Sequence, residues 1–269
     1  MSEIKKIIQR TKFNITSIDH IKDQVIQTKK STFDICPICN GTEWEFDSIT
    51  ETYRRCKCYE KEKIQRLWKK YGVDPKDIKK LNQYNPLDEV QKSAKDKAAN
   101  YIINFEKTKN TRENSFGLFG QPGSGKTHII NAVGAALINK GIQVIYMPYV
   151  ESIRELKANT MDDEYYIKLL STYQKAKVLI IDDLFKDKFK NGDLVGQLSE
   201  SDMKHLYPII NYRYLNYLPT LISTEATPKT LNNIDEALAG RILEGCGDNI
   251  TVFKGVKYNY RMRRFIKGE

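Results

Sequence analysis

Apolar residues along this chain fall into short continuous runs that alternate with longer segments of helical spacing. Five runs predict strands, at residues 116–119, 141–147, 178–181, 217–224 and 249–253. Segments between the runs carry apolar residues three or four positions apart and predict helices, at residues 128–140, 150–158, 162–173 and 201–214. Since alternating strands and helices build parallel sheets, the pattern predicts an α/β domain with a parallel sheet and helices on both faces.

The chain before the first predicted strand has a different pattern. Residues 1–30 mix lysine with isoleucine at loosely helical spacing, which is compatible with a helix that binds a partner. Residues 59–71 predict a charged helix with one apolar face. Residues 94–107 predict a further helix that leads into the α/β domain, with Ser93 as its N-cap.

Punctuating residues divide the chain into three parts. Gly72 and Pro75 follow the charged helix and mark a boundary. We therefore expect an N-terminal module at residues 1–72, a linker with a lead-in helix at residues 73–107, and the α/β domain at residues 108–269.

The composition favours an anionic partner in an aqueous compartment. The 269 residues include 44 lysines and arginines against 34 acidic residues, a net charge of +10. No apolar run approaches the roughly 20 residues that a membrane span needs, and the N-terminus lacks the apolar stretch of a signal peptide. We expect a cytoplasmic protein without a membrane partner. The charge is most simply explained by nucleic acid.

The densest basic cluster lies at residues 254–267, where lysines and arginines are interleaved with aromatic residues. Bases of single-stranded DNA could stack on these rings while the cations bind phosphates. A plain basic tail is an equally open interpretation.

One motif predicts nucleotide binding. Residues 120–127 read GQPGSGKT and match G-x-x-x-x-G-K-[ST], the phosphate-binding P-loop. The predicted strand before it and helix after it supply the context in which backbone N–H groups and the helix N-terminus bind phosphates. A chance glycine-rich turn is the alternative, which these flanks disfavour. The predicted nucleotide-binding residues are Gly120, Pro122, Gly123, Ser124, Gly125, Lys126 and Thr127. Lys126 would reach the β- and γ-phosphates, and Thr127 would ligate Mg²⁺.

A second motif predicts that the nucleotide is hydrolysed. The apolar run 178–181 ends in Asp182 and Asp183, at the strand end where α/β sheets bind ligands. Asp182 fits the Walker B residue that holds Mg²⁺, and Asp183 could orient or deprotonate the attacking water. A strand that ends in a polar turn is the alternative.

Four of the five cysteines fall close together. Cys36 and Cys39 form one pair, Cys56 and Cys58 form the second, and the insert between them is long enough for a hairpin. Two such pairs predict a tetrahedral Cys₄ zinc site with a structural role. Disulfides or unligated thiols remain open, although a cytoplasmic chain keeps its thiols reduced. The fifth, Cys246, is predicted to be an ordinary buried thiol.

The order of these motifs resembles a known family. The P-loop, the strand ending in Asp182 and Asp183, and the segment Ala239–Gly240–Arg241–Ile242 occur in the order of AAA+ ATPases. With the cysteine module in front, the chain resembles bacterial and phage helicase loaders of the DnaC/DnaI type. The resemblance implies an AAA+ core with a short or absent lid behind a small zinc module.

The resemblance also implies a function and partners. An ATPase of this type uses ATP, Mg²⁺ and a Zn²⁺ module, assembles into a homo-oligomer on ATP binding, and loads a replicative hexameric helicase onto single-stranded DNA. Arg241 would be the arginine finger that reaches the γ-phosphate on a neighbouring subunit. An ordinary surface arginine is the alternative for Arg241.

Two positions depart from the family pattern. Loaders often carry Asn at the sensor position after the fourth strand, and Glu225 stands there in this chain, with Ser223 and Thr224 as alternatives. Only a short tail follows Arg241, and Arg261 is the candidate second sensor within it.

Three other functions stay open at this point. A transposition-regulator ATPase of the IstB type shares the AAA+ core, although the cysteine module argues against it. A small-molecule P-loop kinase would need an acceptor pocket and a lid, for which no residues are identified. A zinc and nucleic-acid adaptor could use ATP only as a structural ligand, and Glu225 at the sensor position is compatible with that.

Overall fold

A computed structural model describes residues 36–71, 73–75, 77–190, 193–196, 199–255 and 258–262. The helix predicted within residues 1–30 and most of the basic side chains at 257–267 lie outside these residues. The described residues form two compact units that divide between Cys58 and Tyr59. The three-part division at residues 72 and 107 stays a prediction. Within the described part, no helix has the length and apolarity needed to cross a membrane.

The first unit contains a short antiparallel hairpin. Strands β1 (Trp44–Asp47) and β2 (Thr52–Arg55) pair with Trp44 opposite Arg55 and Phe46 opposite Tyr53. Glu45 lies opposite Arg54 on the other face, and their carboxylate and guanidinium groups are 2.6 Å apart. Helix α1 (Lys57–Lys70) follows β2, and from Tyr59 onward it belongs to the second unit.

The second unit is built on a five-stranded parallel sheet. Its strands are β3 (Phe116–Gly120), β4 (Val144–Pro148), β5 (Val178–Leu184), β8 (Thr220–Thr224) and β9 (Ile250–Phe253). They lie in the order β4-β5-β8-β3-β9, and every adjacent pair is parallel. The sheet confirms the predicted fold class and all five predicted strands.

Helices follow or precede each strand of this sheet. They are α2 (Glu89–Thr108), α3 (Lys126–Asn139), α4 (Tyr149–Ala158), α5 (Asp163–Lys175), α6 (Glu200–Leu215), α7 (Pro228–Ile234) and α8 (Glu236–Cys246). A 3₁₀ turn at Tyr260–Met262 follows β9. Between β5 and α6 lie a 3₁₀ turn at Lys186–Lys188 and a two-residue hairpin of β6 (Phe189–Lys190) and β7 (Asp193–Leu194).

The start of α2 corrects one prediction. The helix begins at Glu89, four residues before Ser93, so that Ser93 lies inside it. The N-cap is Asp88, whose carboxylate accepts a hydrogen bond of 2.9 Å from the backbone N–H of Gln91. Asp is as good a cap as Ser, and here it also places Glu89 in the first turn, where it complements the helix dipole.

Two apolar layers enclose the sheet. Along β5, Leu179 and Ile181 join the layer that contains α4 to α8, whereas Val178 and Ile180 join the layer that contains α1, α2 and α3. Because both faces are buried, the strands are continuous apolar runs instead of alternating ones. Because the strands are parallel, Asp182 and Asp183 near the end of β5 lie at the same edge of the sheet as Thr224 at the end of β8.

Candidate functional site

The P-loop connects β3 to α3, as the motif predicted. Gly120 has φ +95°, and a Cβ there would lie 2.2 Å from the carbonyl oxygen of Phe253 in the neighbouring strand. Gly125 has φ +92° and caps α3 in a left-handed conformation that a side chain would strain. The backbone of this loop therefore requires glycine at both positions.

Lys126, near the C-terminal end of the P-loop, is buried. Its side-chain ammonium donates hydrogen bonds of 2.7 Å to the carbonyl of Gly120 and 2.8 Å to that of Gln121. Only 5% of the residue is exposed. The Lys126 ammonium is thus held against the first two residues of the P-loop.

Asp182, near the end of β5, accepts hydrogen bonds from three hydroxyl groups. Its Oδ1 accepts a hydrogen bond of 3.1 Å from Thr127 and a short one from Ser223, and its Oδ2 accepts one of 2.9 Å from Tyr146. Burial raises the pKa of the Asp182 carboxyl above its ordinary value, and the hydrogen bond from Ser223 opposes that rise.

The donors at this point suit a magnesium ion. Thr127 and Asp182 offer a hydroxyl and a carboxylate oxygen, both hard ligands, within one hydrogen bond of each other. A nearby divalent cation would favour the charged form of Asp182 against the effect of burial. The residues present therefore fit Mg²⁺, and each of them was predicted from sequence.

A cavity of about 590 Å³ opens beside the P-loop. Its walls include Gly123, Lys126 and Thr127 from the loop, and Asp183 from the end of β5. Asp183 has φ +54°, and its backbone N–H donates a hydrogen bond of 2.9 Å to the Ser223 hydroxyl. This backbone conformation is uncommon for aspartate, and such residues concentrate at functional sites.

Glu225, at the sensor position, also lines this cavity. Its side chain is only 3% exposed and forms an ion pair with Lys186, which lies in the segment after β5. The sequence placed Glu225 at this edge of the sheet, and the structure agrees. Ser223, offered as an alternative for the sensor role, is bonded to Asp182 instead.

Two aromatic residues contact the loop, and sequence reasoning missed one of them. The Tyr84 hydroxyl donates a hydrogen bond of 3.1 Å to the carbonyl of Ser124, and the Tyr260 N–H donates one of 3.0 Å to that of Gly123. Both line the cavity. Tyr84 comes from a segment before α2 that carries no motif, so no pattern in the sequence marked it. Tyr260 belongs to the basic and aromatic cluster at residues 254–267, for which the sequence predicted DNA stacking and no contact with the P-loop.

Arg241 is not among the described residues that surround the cavity, and the Arg261 side chain is not described. The backbone of Arg261 lies in the 3₁₀ turn at Tyr260–Met262, and its side chain is outside the described residues. Arg241 lies on α8, where its guanidinium donates 2.9 Å to the Asn211 side chain and 2.7 Å to the Ala237 carbonyl. The same guanidinium lies 5.2 Å from the Tyr207 ring centroid.

The structure brings the four predicted zinc ligands together. The sulfur atoms of Cys36, Cys39, Cys56 and Cys58 lie within 4.8 Å of one another. Cys36 and Cys56 are 3.8 Å apart, close to the roughly 3.8 Å edge of a tetrahedron with Zn–S bonds of about 2.3 Å. Backbone N–H groups of Cys39 and Ile38 lower the pKa of Cys36 to about 7. The cluster therefore fits zinc.

Cys246 lies apart from this cluster. It is fully buried, and burial raises the pKa of its thiol to about 12. As predicted, it behaves as a small apolar residue of the core.

Comparisons with known proteins identify relatives over most of the chain. The family model described as IstB-like ATP binding protein matches residues 59–228. The protein YqaM of Bacillus subtilis (strain 168) is 37% identical over 238 residues, which cover 85% of this chain and 71% of YqaM. The phage-like element PBSX protein XkdC of the same strain is 34% identical over 223 residues, which cover 79% of each chain.

Solved structures share the fold of the second unit. The AMPPCP-bound DnaA from Aquifex aeolicus aligns with a TM-score of 0.55 and 17% identity, over 72% of this chain and 56% of DnaA. The chain thus spans about half the length of that structure. The DnaI structure aligns with a TM-score of 0.51 and 21% identity, over 65% of this chain and 88% of DnaI. At these identities the similarity is one of fold alone.

Proposed function

This chain belongs to the IstB-like ATP-binding protein family, and from that premise we propose that it is an ATP-dependent loader of the replicative DNA helicase onto single-stranded DNA. ATP binding would set its assembly into a homo-oligomer, and slow hydrolysis would release the helicase. We place this activity in the cytoplasm.

One observation carries the proposal: a four-cysteine centre and an AAA+ nucleotide site occur in the same chain. The P-loop and paired aspartates are common to many ATPases. The cysteine centre is what makes the chain resemble the DnaC/DnaI loaders more than a generic member of the family. The DnaI fold match and the phage-element relative XkdC are consistent with this choice.

The residues around the cavity would have separate roles in ATP hydrolysis. Lys126 would bind the β- and γ-phosphates together with the N–H groups of the loop. Thr127 and Asp182 would hold Mg²⁺, which neutralises phosphate charge when it is bound. Asp183, at the cavity wall, would accept the proton of the attacking water or orient it.

Arg241 would complete the site of a neighbouring subunit. Its side chain lies on α8, away from the cavity of its own chain. A cation supplied in trans stabilises charge in the transition state and makes hydrolysis depend on assembly. This arrangement explains why the proposed turnover is slow for a single chain.

The cysteine centre would have a structural role. Four protein ligands leave no open position on zinc for chemistry. A unit as small as this one has little apolar core, so that zinc binding would supply folding energy.

A second candidate is an IstB-type regulator of transposition. The family model that matches residues 59–228 favours it. The two candidates share the ATPase cycle and differ in partner, so that the partner decides between them.

The test measures ATP turnover and partner together. Wild-type protein should release ADP, and faster with single-stranded DNA. Lys126→Ala should lose nucleotide binding by about 100-fold or more, because it removes the cation of the P-loop. The control Lys168→Ala, which removes the same charge from an exposed position on α5, should leave nucleotide binding and ADP release unchanged.

Partner capture from the source cell, with and without ATP, completes the test. Retention of a hexameric helicase by the wild type supports the loader, whereas retention of a transposase supports the second candidate. Bound ATP without ADP release would indicate the adaptor, and a phosphorylated small molecule would indicate a kinase. Either of these last results contradicts the loader proposal.

A further inference from the structure

The buried carboxylate of Glu225 would repel a polyphosphate bound in this cavity. Its side chain is 3% exposed and lines the same cavity as Lys126 and Thr127 of the P-loop. Asp183 adds a second carboxylate to that wall. Like charges at short range disfavour binding. A cation beside Glu225 would offset this repulsion.

Lys186 supplies this cation. Its ammonium is ion-paired with the Glu225 carboxylate, and its side chain is 44% exposed and lines the cavity. The pair has no net charge, and the ammonium also faces the space where an anion would bind. Lys186 thus neutralises the Glu225 carboxylate at the wall of the cavity.

The backbone that carries Lys186 is built to hold it there. Phe185, directly before it, has φ +64° and a fully buried ring that packs edge-on against Tyr149 at 5.4 Å. Two residues after Lys186, Lys188 in the same 3₁₀ turn pairs with Asp202 of α6 at 3.0 Å. The segment is anchored on both sides, and a left-handed backbone at a bulky residue persists only when its surroundings fix it.

We propose that Lys186 is the residue that makes Glu225 compatible with a nucleoside triphosphate, because it neutralises the Glu225 carboxylate at the wall of the site. This inference rests on the proposed function, because it assumes that the cavity binds ATP. Lys186 is a positioning residue here, since it acts through Glu225.

The charge balance gives the inference a distinctive prediction. Removal of Lys186 alone leaves Glu225 as an uncompensated anion at the cavity wall. ATP carries one more phosphate than ADP, so ATP affinity should fall further than ADP affinity. Removal of both charges restores neutrality, and with it the binding of ATP.

The experiment measures dissociation constants for Mg²⁺ complexes of ADP and of a non-hydrolysable ATP analogue by calorimetry. Lys186→Met should weaken binding of the ATP analogue about tenfold or more, and binding of ADP by a smaller factor. The double variant Lys186→Met with Glu225→Gln should recover the wild-type affinity for the analogue to within about threefold. Glu225→Gln alone should bind it at least as tightly as the wild type.

Two further variants separate this effect from misfolding and from general loss of charge. Lys186→Arg keeps the cation and should retain the wild-type affinity for the ATP analogue. Lys79→Met removes another lysine from the cavity wall. Glu225→Gln should not rescue its effect, because the partner of Glu225 is Lys186.

Two results overturn the inference in different ways. If the wild type binds and hydrolyses ATP but Lys186→Met retains the wild-type affinities, or the double variant is no better than Lys186→Met, only this inference is wrong. If the wild type binds no nucleotide, the proposed function fails and this inference with it.

Discussion

Arg213 is a fully buried cation whose hydrogen bonds all go to uncharged oxygens in the described structure. It donates to the carbonyls of Tyr173, Gln174, Ala176 and Pro219 and to the hydroxyl of Thr220. Burial lowers the pKa of its guanidinium to about 9. These bonds tie the C-terminus of α5 to the start of β8, the strand that ends near Glu225.

Replacing this arginine should therefore destabilise the second unit. Arg213→Met keeps most of the volume but leaves several buried carbonyls without their donor. We expect a loss of about 2–4 kcal/mol in the free energy of unfolding. Urea unfolding followed by circular dichroism measures it. Arg154→Met, at an exposed position on α4, should change stability by less than about 0.5 kcal/mol. Equal effects of the two variants would contradict the structural role of Arg213.

At the residue scale, the sequence predicts what a local motif encodes. Lys126, Thr127 and Asp182 were identified because the P-loop and the strand end have fixed spacings, and the structure brings these three together. Lys186 and Tyr84 were missed. Lys186 contacts Glu225 and Tyr84 contacts Ser124, and both contacts join segments that are far apart in the sequence. A short sequence motif does not encode such contacts.

At the scale of elements, burial explains which predictions succeeded. The strands of the sheet were predicted because burial on both faces makes each of them an uninterrupted apolar run. Helix α7 and the β6–β7 hairpin were not predicted, since they are short and lie in polar segments. Helix α8 was not predicted either, although its 11 residues include apolar side chains at helical spacing. The cysteine hairpin was predicted because paired ligands need a tight turn, whatever the pattern of apolar residues.

The cysteine centre gives an element-scale prediction. Cys39→Ser removes one of four clustered sulfur ligands and should abolish tight zinc binding by the purified protein. Wild-type protein should contain about one zinc per chain by elemental analysis. Cys246→Ala, which removes the thiol outside the cluster, should keep its zinc. Equimolar zinc in Cys39→Ser, or no zinc in the wild type, would contradict a Cys₄ site.

At the scale of the whole molecule, the nucleotide site of one chain lacks its proposed finger. Arg241 is fixed on α8 by Asn211 and by the carbonyl of Ala237, and stacks near Tyr207. It is not among the residues that line the cavity beside the P-loop. Heterologous contacts, in which one surface of a subunit meets a different surface of the next, can bring two such regions together.

Mixing two inactive variants tests whether the finger acts between subunits. Asp183→Asn keeps the P-loop, and with it ATP binding and assembly, but lacks the carboxylate proposed to activate water. It keeps Arg241, whereas Arg241→Ala has the reverse defect. Each alone should show little ATP hydrolysis. In an equimolar mixture half of the chains keep Asp183, and half of those meet a neighbour with an intact finger. Activity should therefore recover to about a quarter of the wild-type rate, because the finger stabilises the transition state from the adjacent chain.

Arg154→Ala in place of Arg241→Ala is the control, and should hydrolyse ATP without mixing. If Arg241→Ala binds ATP and assembles but the mixture stays inactive, or if Arg241→Ala hydrolyses ATP normally alone, the finger does not act in trans.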